Sequence, residues 1–403
     1  MLLEWLRRRI AGPDIHAWNG SDSHLGRPTL SGFEPRFCAN VPAWVTGNFR
    51  TIAVLPITIH TRAISMTVHG SPNLPGLDVS SYSLTLADGG GFIGDHASGR
   101  AFFGILDELR SPLCRAGTDP FGGKDTDDLS HKDIDKAWRK GDAFAAGLVH
   151  TSIEEFARRL AEVVRAYRSA DENWAKVTRI VVGGGLRDSR IGEIAIGRTT
   201  AILRLEGVAV DLVPIKRDPD EAALIGGLRL IPGERLRGCS QLLAVDIGGS
   251  SIRAGLVNLS AKHPHNLAKA AVVAHAQWKY GDEKNKPSRD EAIGKLTQMI
   301  DGLRRKAGDD LAEVITVACP GSITPDGDIR DGAQNLPGNW EAKDFNLPAT
   351  LAAALDDEFE IVLHNDAVVQ GLSEADRMKD VRHWAVVTIG TGLGNAAYRN
   401  TAS

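Results

Sequence analysis

The sequence predicts an α/β protein with two lobes, in which helices cover mixed β-sheets. Three observations support this fold class. The chain has 403 residues, which exceeds the usual length of a single hydrophobic core. Apolar runs of strand length alternate with amphipathic helical patterns from residue 97 to residue 394. Hydrophobic residues make up 42% of the chain, enough to bury both lobes.

The predicted elements can be listed in chain order. Residues 1–32 show no sustained period and are expected to form an irregular lead. Strand-like runs follow at Thr51–Ile59 and Ser81–Ala87, and Pro56 favours an edge position for the first of them. Farther on, the patterns predict the helix Ile153–Tyr167, buried strands at Val177–Val182 and Val208–Val213, a hairpin after residue 241, the helix Arg289–Lys306, strands around Ile315, Ile361 and Val386, and helices at Pro348–Leu355 and Ala367–Met378.

The most informative segment is Leu243–Val257, in which an apolar strand enters a turn of small residues and a second strand follows. Gly248, Gly249 and Ser250 would let backbone N–H groups approach an anionic group closely. Asp246 stands at the end of the first strand, where its carboxylate could hold a cation. The alternative interpretation is an ordinary hairpin with a glycine turn.

Two later segments repeat or extend this pattern. Trp384–Gly394 is again a strand followed by glycines, including Gly390, Thr391 and Gly392. In Ile361–Glu374 an apolar strand ends at His364, Asn365 and Asp366, and a helical pattern begins there. Either Asn365 or Asp366 is a plausible N-cap, so the alternative for Asp366 is a capping role alone.

Other glycine-rich motifs do not fit. A Walker A loop needs Lys-Ser or Lys-Thr after its last glycine, and these loops lack it. A dinucleotide-binding motif needs a third glycine and a following helix. Asn395 follows Gly394, and only nine residues remain to the end of the sequence.

Together these segments resemble the ROK family of sugar kinases and repressors, within the sugar-kinase, actin and heat-shock ATPase superfamily. Asp246–Gly255 resembles the family's first phosphate motif, and Gly390–Gly394 its second. His364–Ala367 resembles the catalytic asparagine-aspartate motif. Ala318–Trp340 is similar to the substrate-side segment, which contains Asn335. The resemblance implies a two-lobed actin-like ATPase, or ribonuclease H-like, fold.

The chain order departs from the family. Segments that resemble its second half lie upstream, namely Ala97–Phe102, Lys140–Gly147, Arg179–Leu186 and Asp218–Leu228. We interpret the chain as circularly permuted, with a fusion of incomplete copies or a fragment as alternatives. The expected divisions are a lead (1–32), an adenosine-side lobe (33–232), a joining segment (233–240), a first-phosphate and substrate lobe (241–365), and a catalytic hinge with the second phosphate loop (366–403).

The resemblance implies transfer of the γ-phosphoryl group of Mg-ATP to a sugar hydroxyl. Asp366 would act as general base, and Asn335 and Asn365 would bind the sugar together with Asp366. Asp246 would hold Mg²⁺, directly or through water. The phosphates would lie on Gly248, Gly249, Ser250, Gly390, Thr391 and Gly392, and the adenosine on Gly183, Gly184 and Gly185. The family also implies a homodimer.

Some family features are missing. Asp88–His96 stands where the family has a cysteine-rich zinc segment, so we expect no zinc. The family's Glu-x-Gly-His motif is absent as well. Asp95 and His96 could replace its sugar contacts, although an N-cap and a surface histidine are the simpler interpretation. The alternative function is therefore a non-catalytic sugar-sensing protein or a decayed kinase.

Composition excludes several classes of protein. The net charge of −4 favours no nucleic-acid partner, and residues 1–50 show no helix-turn-helix pattern. No apolar run is long enough to span a membrane, which favours a cytoplasmic protein. Four scattered cysteines indicate neither a disulfide framework nor a thiolate metal site.

Overall fold

The architecture is taken from a computed structural model, which describes residues 68–260, 262–356 and 358–401. The predicted lead 1–32 and the predicted strand Thr51–Ile59 lie outside these residues. The described chain forms two large β-sheets flanked and separated by helices. The predicted α/β fold with two lobes and mixed sheets covered by helices is confirmed.

One lobe is built on a six-stranded sheet that takes strands from both ends of the described chain. Its strands are β1 (Asn73–Leu74), β2 (Leu77–Tyr82), β5 (Arg179–Gly183), β6 (Asp211–Pro214), β12 (His383–Ile389) and β13 (Leu393–Asn400). Their spatial order is β1–β2–β13–β12–β5–β6. We call this the composite lobe. A small separate hairpin consists of β3 (Ala87–Asp88) and β4 (Gly91–Phe92).

Helices cover the outer face of the composite sheet. They are α1 (Gly99–Arg115), α2 (His131–Lys140), α3 (Ala143–Ala170), α4 (Glu172–Ala175) and α5 (Arg190–Leu205). Their apolar side chains form one cluster with Ile180 and Val182 of β5, whereas Val181 points to the opposite face. This alternation is expected for a strand that is buried on both sides.

The other lobe is formed by one continuous stretch of chain, and we call it the continuous lobe. Its strands are β7 (Gln241–Ile247), β8 (Ile252–Asn258), β9 (Ala271–Trp278), β10 (Leu311–Cys319) and β11 (Glu360–Asn365). They lie in the order β11–β10–β7–β8–β9. The helices α7 (Arg289–Arg304) and α8 (Leu347–Ala354) pack on the outer face of this sheet.

Two helices, α6 (Pro219–Gly226) and α9 (Asp366–Leu372), lie in a core shared by both sheets. Helix α6 follows β6 and helix α9 follows β11, and each of these strands lies at one edge of its sheet. The two helices pack closely, because a Cβ atom on Gly226 would overlap the carbonyl oxygen of Val369. Only glycine at this position allows such an approach of the two backbones.

The two sheets have the same strand order. In the continuous lobe β7, β8 and β9 pair in antiparallel fashion, and the parallel strands β10 and β11 follow on the other side of β7. In the composite lobe the corresponding strands are β12, β13 and β2, then β5 and β6 beside β12. If the strands of the composite lobe are taken in the order of the continuous lobe, the first two come from residues 383–400. The remaining three come from residues 77–214, which precede them in the chain.

One predicted strand is wrong over most of its length. Ser81–Ala87 was expected to be extended, but β2 ends at Tyr82. Ser83 adopts a left-handed conformation with a φ of 49°. Its N–H donates to the carbonyl oxygen of Asn395 at 3.1 Å, which turns the chain away from the sheet.

Two predicted helices have different lengths in the structure. The helix expected at Ile153–Tyr167 is the longer α3, because the Asp142 side chain caps the N–H of Ala145 at 2.9 Å. The helix expected at Ala367–Met378 ends at Leu372, since the buried Glu374 carboxylate turns to accept backbone N–H groups of the composite lobe. The other predicted elements within the described residues agree within three residues at each end.

None of the helices among the described residues is both long enough and apolar enough to cross a membrane.

Candidate active site

A cleft of about 460 Å³ opens between the two lobes, where the carboxyl ends of their central strands meet. Side chains and backbone from both lobes line it. The lining includes all but one of the predicted site residues, namely Asp246, Gly248, Gly249, Ser250, Asn335, Asn365, Asp366, Gly184, Gly185, Gly390, Thr391 and Gly392. Gly183 is the exception, since it lies behind this surface.

The first glycine loop connects β7 to β8. The N–H of Gly248 donates to the carbonyl oxygen of Ser251 at 2.8 Å and closes a tight turn. The Tyr280 hydroxyl donates to the carbonyl oxygen of Gly248 and supports the turn from behind. In the described part of the chain the N–H groups of Gly249 and Ser250 have no acceptor. They are therefore available to an anionic ligand.

The second glycine loop connects β12 to β13 and faces the first across the cleft. A Cβ atom on Gly249 would lie 3.7 Å from the Cβ atom of Thr391. The N–H of Gly390 donates to the carbonyl oxygen of Gly392 at 3.0 Å, while the N–H groups of Thr391 and Gly392 donate to nothing within the described residues. Both loops thus present backbone donors to the same narrow space.

The N-terminus of α1 supports the second loop. The Ser98 side chain caps the helix by accepting the N–H of Ala101 at 3.2 Å. The N–H of Gly99 then donates to the carbonyl oxygen of Gly390 at 2.9 Å. A side chain on Gly99 would lie 2.7 Å from that oxygen, so glycine is required at this contact.

Asn365 and Asp366 stand at the junction of β11 and α9, as predicted. Asn365 is the N-cap, and its Oδ1 accepts the N–H of Val368 at 3.2 Å. Its Nδ2 donates to the Ser83 hydroxyl and to the carbonyl oxygen of Gly321, both at 3.1 Å. The Asn365 amide therefore holds the junction in place and has both of its N–H groups engaged within the protein.

Burial and a neighbouring charge perturb the Asp366 carboxyl. Desolvation, assisted by the negative charge of Asp246, raises the pKa of Asp366 to about 7. Burial also raises the pKa of Asp246, although the nearby Arg253 guanidinium opposes this shift. A carboxyl group with a pKa near neutrality is suited to proton transfer at physiological pH.

His364 precedes this pair and is fully buried. Its Nδ1 accepts the N–H of Asn365 at 2.7 Å, and its Nε2 lies 3.1 Å from the carbonyl oxygen of Ser71. Burial lowers the pKa of His364 to about 4, so the imidazole is neutral at pH 7. A neutral ring with Nε2 protonated satisfies both contacts, which makes His364 a structural residue.

Sequence reasoning missed Arg253, which connects the two lobes. Its guanidinium lies 3.3 Å from the Asp246 carboxylate and 2.6 Å from Asp220 at the start of α6. Asp246 and Arg253 are directly opposite each other in the antiparallel pair of β7 and β8. The hairpin register could have revealed the first contact, but the second depends on the packing of the lobes.

The three glycines at the end of β5 have different surroundings. A Cβ atom on Gly183 would overlap the Oε1 atom of Gln370, and one on Gly184 would overlap the backbone of Ile389. Gly184 also has a φ of 87°. Gly185 has open space around it and lines the cleft. The Ile389 backbone and the positive φ thus require glycine at position 184, whereas Gly183 meets only the end of the flexible Gln370 side chain.

A second cavity of about 930 Å³ adjoins the second glycine loop. Gly185, Gly390 and Thr391 line both cavities, so the two are continuous at this loop. On its far side the rings of Phe103 and His131 stack with their centroids 5.4 Å apart. This cavity therefore has an aromatic wall beside the second glycine loop.

A buried arginine holds one wall of the second cavity. Arg110 is 2% exposed and binds the Asp119 carboxylate through two nitrogens at 2.7 and 2.8 Å. The pairing holds the pKa of Asp119 well below its usual range. Another Arg110 nitrogen donates to the Thr126 hydroxyl at 2.9 Å, which fixes the segment that lines the cavity.

Asp95 and His96, the two residues that could replace the missing sugar-binding motif, lie in different surroundings. Asp95 lines the cleft, and its Oδ2 accepts the N–H of Phe92 at 3.1 Å. It does not cap α1, because Ser98 does. His96 is a surface residue that lies 3.5 Å from Asp88.

The residues of the cleft fit Mg²⁺ better than zinc. Mg²⁺ usually binds one or two carboxylates together with substrate phosphates. Asp246 offers such a carboxylate beside the first glycine loop. Among residues 68–401, apart from the undescribed positions 261 and 357, no group of three or more His, Cys, Asp or Glu side chains could hold a metal ion by itself.

Comparison with known proteins yields matches for part of the chain. The family model described as "ROK family" matches residues 242–402. The C(7)-cyclitol 7-kinase of Streptomyces hygroscopicus subsp. limoneus is 22% identical over 159 residues, which are 40% of this chain and 43% of the relative. The chain thus spans less than half the length of this curated relative.

Among solved structures, the ROK hexokinase from Thermus thermophilus is 20% identical, with a TM-score of 0.27, over 39% of this chain and 46% of the other. An exopolyphosphatase from Cytophaga hutchinsonii is 18% identical, with a TM-score of 0.24, over 41% of this chain and 51% of its own.

Proposed function

Because the ROK family model matches residues 242–402, we propose that the chain is an ATP-dependent sugar kinase. The observation that carries the proposal is the meeting of two glycine loops and a carboxyl group of raised pKa in one cleft. Phosphoryl transfer depends mainly on positioning and on stabilisation of charge, and this arrangement supplies both.

The two glycine loops would bind the phosphates. Gly249 and Ser250 on one side, and Thr391 and Gly392 on the other, have N–H groups without acceptors in the described chain. Donors that are fixed before the ligand arrives stabilise the charge on the transferred group without reorganisation. A bound Mg²⁺ would neutralise further phosphate charge, and Asp246 would hold it directly or through water.

Asp366 would accept the proton of the sugar hydroxyl. Its pKa of about 7 leaves it partly ionised at neutral pH, and its position at the N-terminus of α9 keeps it in the cleft. The ionised form is the one that can accept a proton. Activity should therefore increase as the pH rises through the pKa of Asp366.

The sugar would bind beside Asp366 on the side of Asn335. The Asn335 side chain lines the cleft and makes no hydrogen bond within the described residues, so its amide is available. The Asn365 amide is already engaged, and a role in orienting Asp366 fits it better than a direct sugar contact through its N–H groups.

The nucleoside would occupy the second cavity. This cavity joins the cleft at Gly185 and at the second glycine loop, and it provides the stacked rings of Phe103 and His131 as an apolar surface. A nucleotide whose phosphates lie between the loops would reach it past Gly185. Gly184 would line this passage, and Gly183 would support it from behind.

We also propose that the chain is a circular permutation of the family order. The equal strand order of the two sheets supports this interpretation, because β12 and β13 begin a lobe that β2, β5 and β6 complete. The family model matches only residues 242–402, which end with the first two strands of that lobe.

The direct test is release of ADP from Mg-ATP by the purified chain with hexoses, N-acetylhexosamines, hexitols and cyclitols as acceptors. The proposal predicts turnover that depends on one class of acceptor and on Mg²⁺. ATP binding without turnover for any acceptor would instead favour a sugar-sensing or decayed protein.

A further inference from the structure

We propose that the acceptor end of the cleft selects uncharged or cationic polyols against anionic ones, with Asp331 as the residue that senses this charge. The inference rests on the proposed sugar kinase function and names its substrate class. It depends on one loop of the continuous lobe and on the distribution of charge along the cleft.

The loop that carries Asp331 is firmly folded. Ile323 and Ile329 form a bridge across it. At its base the N–H of Ser322 donates to the carbonyl oxygen of Asp331 at 2.8 Å. Gly321, with a φ of 110°, has no room for a side chain, because a Cβ atom there would lie 2.5 Å from the same oxygen. The backbone of Asp331 therefore has one fixed position.

Hydrogen bonds connect this loop to the proposed general base. Asn365, which precedes Asp366, donates from Nδ2 to the carbonyl oxygen of Gly321 at 3.1 Å. The next residue, Ser322, donates from its hydroxyl to Oδ1 of Asp331 at 2.7 Å. Asp331 lines the same cleft as Asp366 and Asn335. It is thus placed beside the acceptor rather than beside the nucleoside cavity.

The second oxygen of Asp331 remains available. Within the described residues its Oδ2 forms no hydrogen bond, and the residue is exposed to the cleft. A carboxylate oxygen is only an acceptor, so it can bind a hydroxyl or an ammonium group. An ammonium group adds an attraction between opposite charges.

The rest of the cleft offers no cation to an acidic acceptor. The carboxylates that line it are Asp95, Asp220, Asp246, Asp331 and Asp366. Arg253 is the only basic residue in the described lining, and it is already paired with Asp220 and Asp246. At the acceptor end, away from the N–H groups of the glycine loops, a sugar acid would therefore place its carboxylate near Asp331 and Asp366 without a free cationic side chain to pair with it.

Binding to the full-length protein without nucleotide tests the inference. Isothermal titration would compare glucose with glucosamine, N-acetylglucosamine and gluconate, and inositol with an aminodeoxyinositol. We expect the amine of a matched pair to bind about fivefold more tightly than the neutral parent, as for a partly exposed ion pair. The N-acetyl derivative should lose this gain, and gluconate should bind more weakly than glucose.

Asp331→Asn keeps the shape of the side chain and removes its charge. This variant should bind amine and parent with equal affinity and should tolerate gluconate better. Asp326→Asn, on the exposed part of the same loop and outside the cleft lining, should behave as the wild type. Circular dichroism of both variants would verify that they are folded.

The inference would be overturned if the wild type bound gluconate as tightly as glucose or more tightly. It would also be overturned if Asp331→Asn kept the preference for the amine over the neutral parent. Absence of binding by every acceptor would overturn it too. If amines bind selectively but no acceptor is phosphorylated, the charge selectivity stands and the kinase proposal fails. Because binding is measured without ATP, the two failures are distinguishable.

Discussion

The two lobes carry the same glycine hairpin at the same point of their sheets but give it different side chains. Asp246 is the second-last residue of β7, and Thr388 is the second-last residue of β12. Each lies opposite the end of a parallel neighbour, Ala318 for Asp246 and Gly183 for Thr388. A carboxylate in the continuous lobe is thus matched by a neutral hydroxyl in the composite lobe.

The edge strands β11 and β6, which each lead into a helix of the shared core, also differ in the side chains at their ends. β11 runs into α9 at Asn365 and Asp366, whereas β6 ends at Pro214 and leads to α6. The two carboxylates to which we assign roles in the reaction, Asp246 and Asp366, therefore both come from the continuous lobe. The composite lobe would contribute the backbone donors of the second glycine loop and the second cavity, in which we propose that the nucleoside binds. On the proposed function, the side chains for proton transfer and Mg²⁺ binding thus come from one lobe and the site for the nucleoside from the other, although both lobes have the same strand order.

Of the changes considered, replacement of Asp366 by Asn should have the largest effect, because it removes the proposed general base of the continuous lobe. Turnover should fall by about 10² to 10⁴, the usual contribution of a general base. Nucleotide affinity should change little, because the composite lobe is intact. Steady-state kinetics and titration with Mg-ADP would measure the two quantities separately. Thr388→Ala, at the matching point of the other lobe, should retain the acid–base step, and an equal loss in this variant would refute the division.

The contact between α6 and α9 can be broken without touching the cleft. A Cβ atom on Gly226 would overlap the carbonyl oxygen of Val369, so Gly226→Ala should lower the free energy of unfolding by about 1–3 kcal/mol. Gly197 lies within α5 and has nothing within 4 Å of such an atom. Gly197→Ala should stabilise the protein by about 0.4–1 kcal/mol. Urea unfolding measures both, and equal destabilisation would contradict the close packing.

The pH dependence of kcat/KM should reveal the effect of the Asp246 charge on the pKa of Asp366. In the wild type the rate should fall about tenfold per pH unit below a pKa of about 7, because Asp366 must be ionised to accept a proton. The negative charge of Asp246 raises that pKa, so Asp246→Asn should move the acidic limb to lower pH. Burial remains in this variant and keeps the pKa of Asp366 above its ordinary value. An unchanged limb would show that the two carboxylates are not coupled.

The smallest change is expected from rearranging the chain order. A gene encoding residues 241–403 followed by residues 1–240 would make the continuous lobe the first to be synthesised and would open the chain in the expected joining segment. All strand pairs of both sheets are preserved, so we expect the same thermal midpoint within a few degrees and the same kcat. A folded but inactive product would count against the interpretation as a circular permutation.

Local patterns allowed much of the site to be predicted. The two glycine hairpins, the N-cap at Asn365 and the strand-to-helix position of Asp366 each depend on a few consecutive residues. Period and spacing are informative over such distances. The prediction of helices covering two mixed sheets also followed from these patterns.

Long-range pairing could not be predicted in the same way. The hydrogen bond from the Ser80 hydroxyl to the carbonyl oxygen of Ala397 joins residues 317 positions apart. The turn at Ser83 depends on Asn395, and the second partner of Arg253 lies on the other lobe. The approach of the Gln370 side chain to Gly183 also joins residues far apart in the chain, so no local pattern could predict it.

The central claim is that the continuous lobe supplies the base for phosphoryl transfer to a polyol. Mass spectrometry of acceptor mixtures incubated with Mg-ATP detects the phosphorylated product directly, for the wild type and for Asp366→Asn. We expect one class of acceptor to gain a phosphoryl group in the wild type and at least about 10²-fold less product in the variant. Equal product from both proteins, or no phosphorylated acceptor despite ATP binding, would contradict the account.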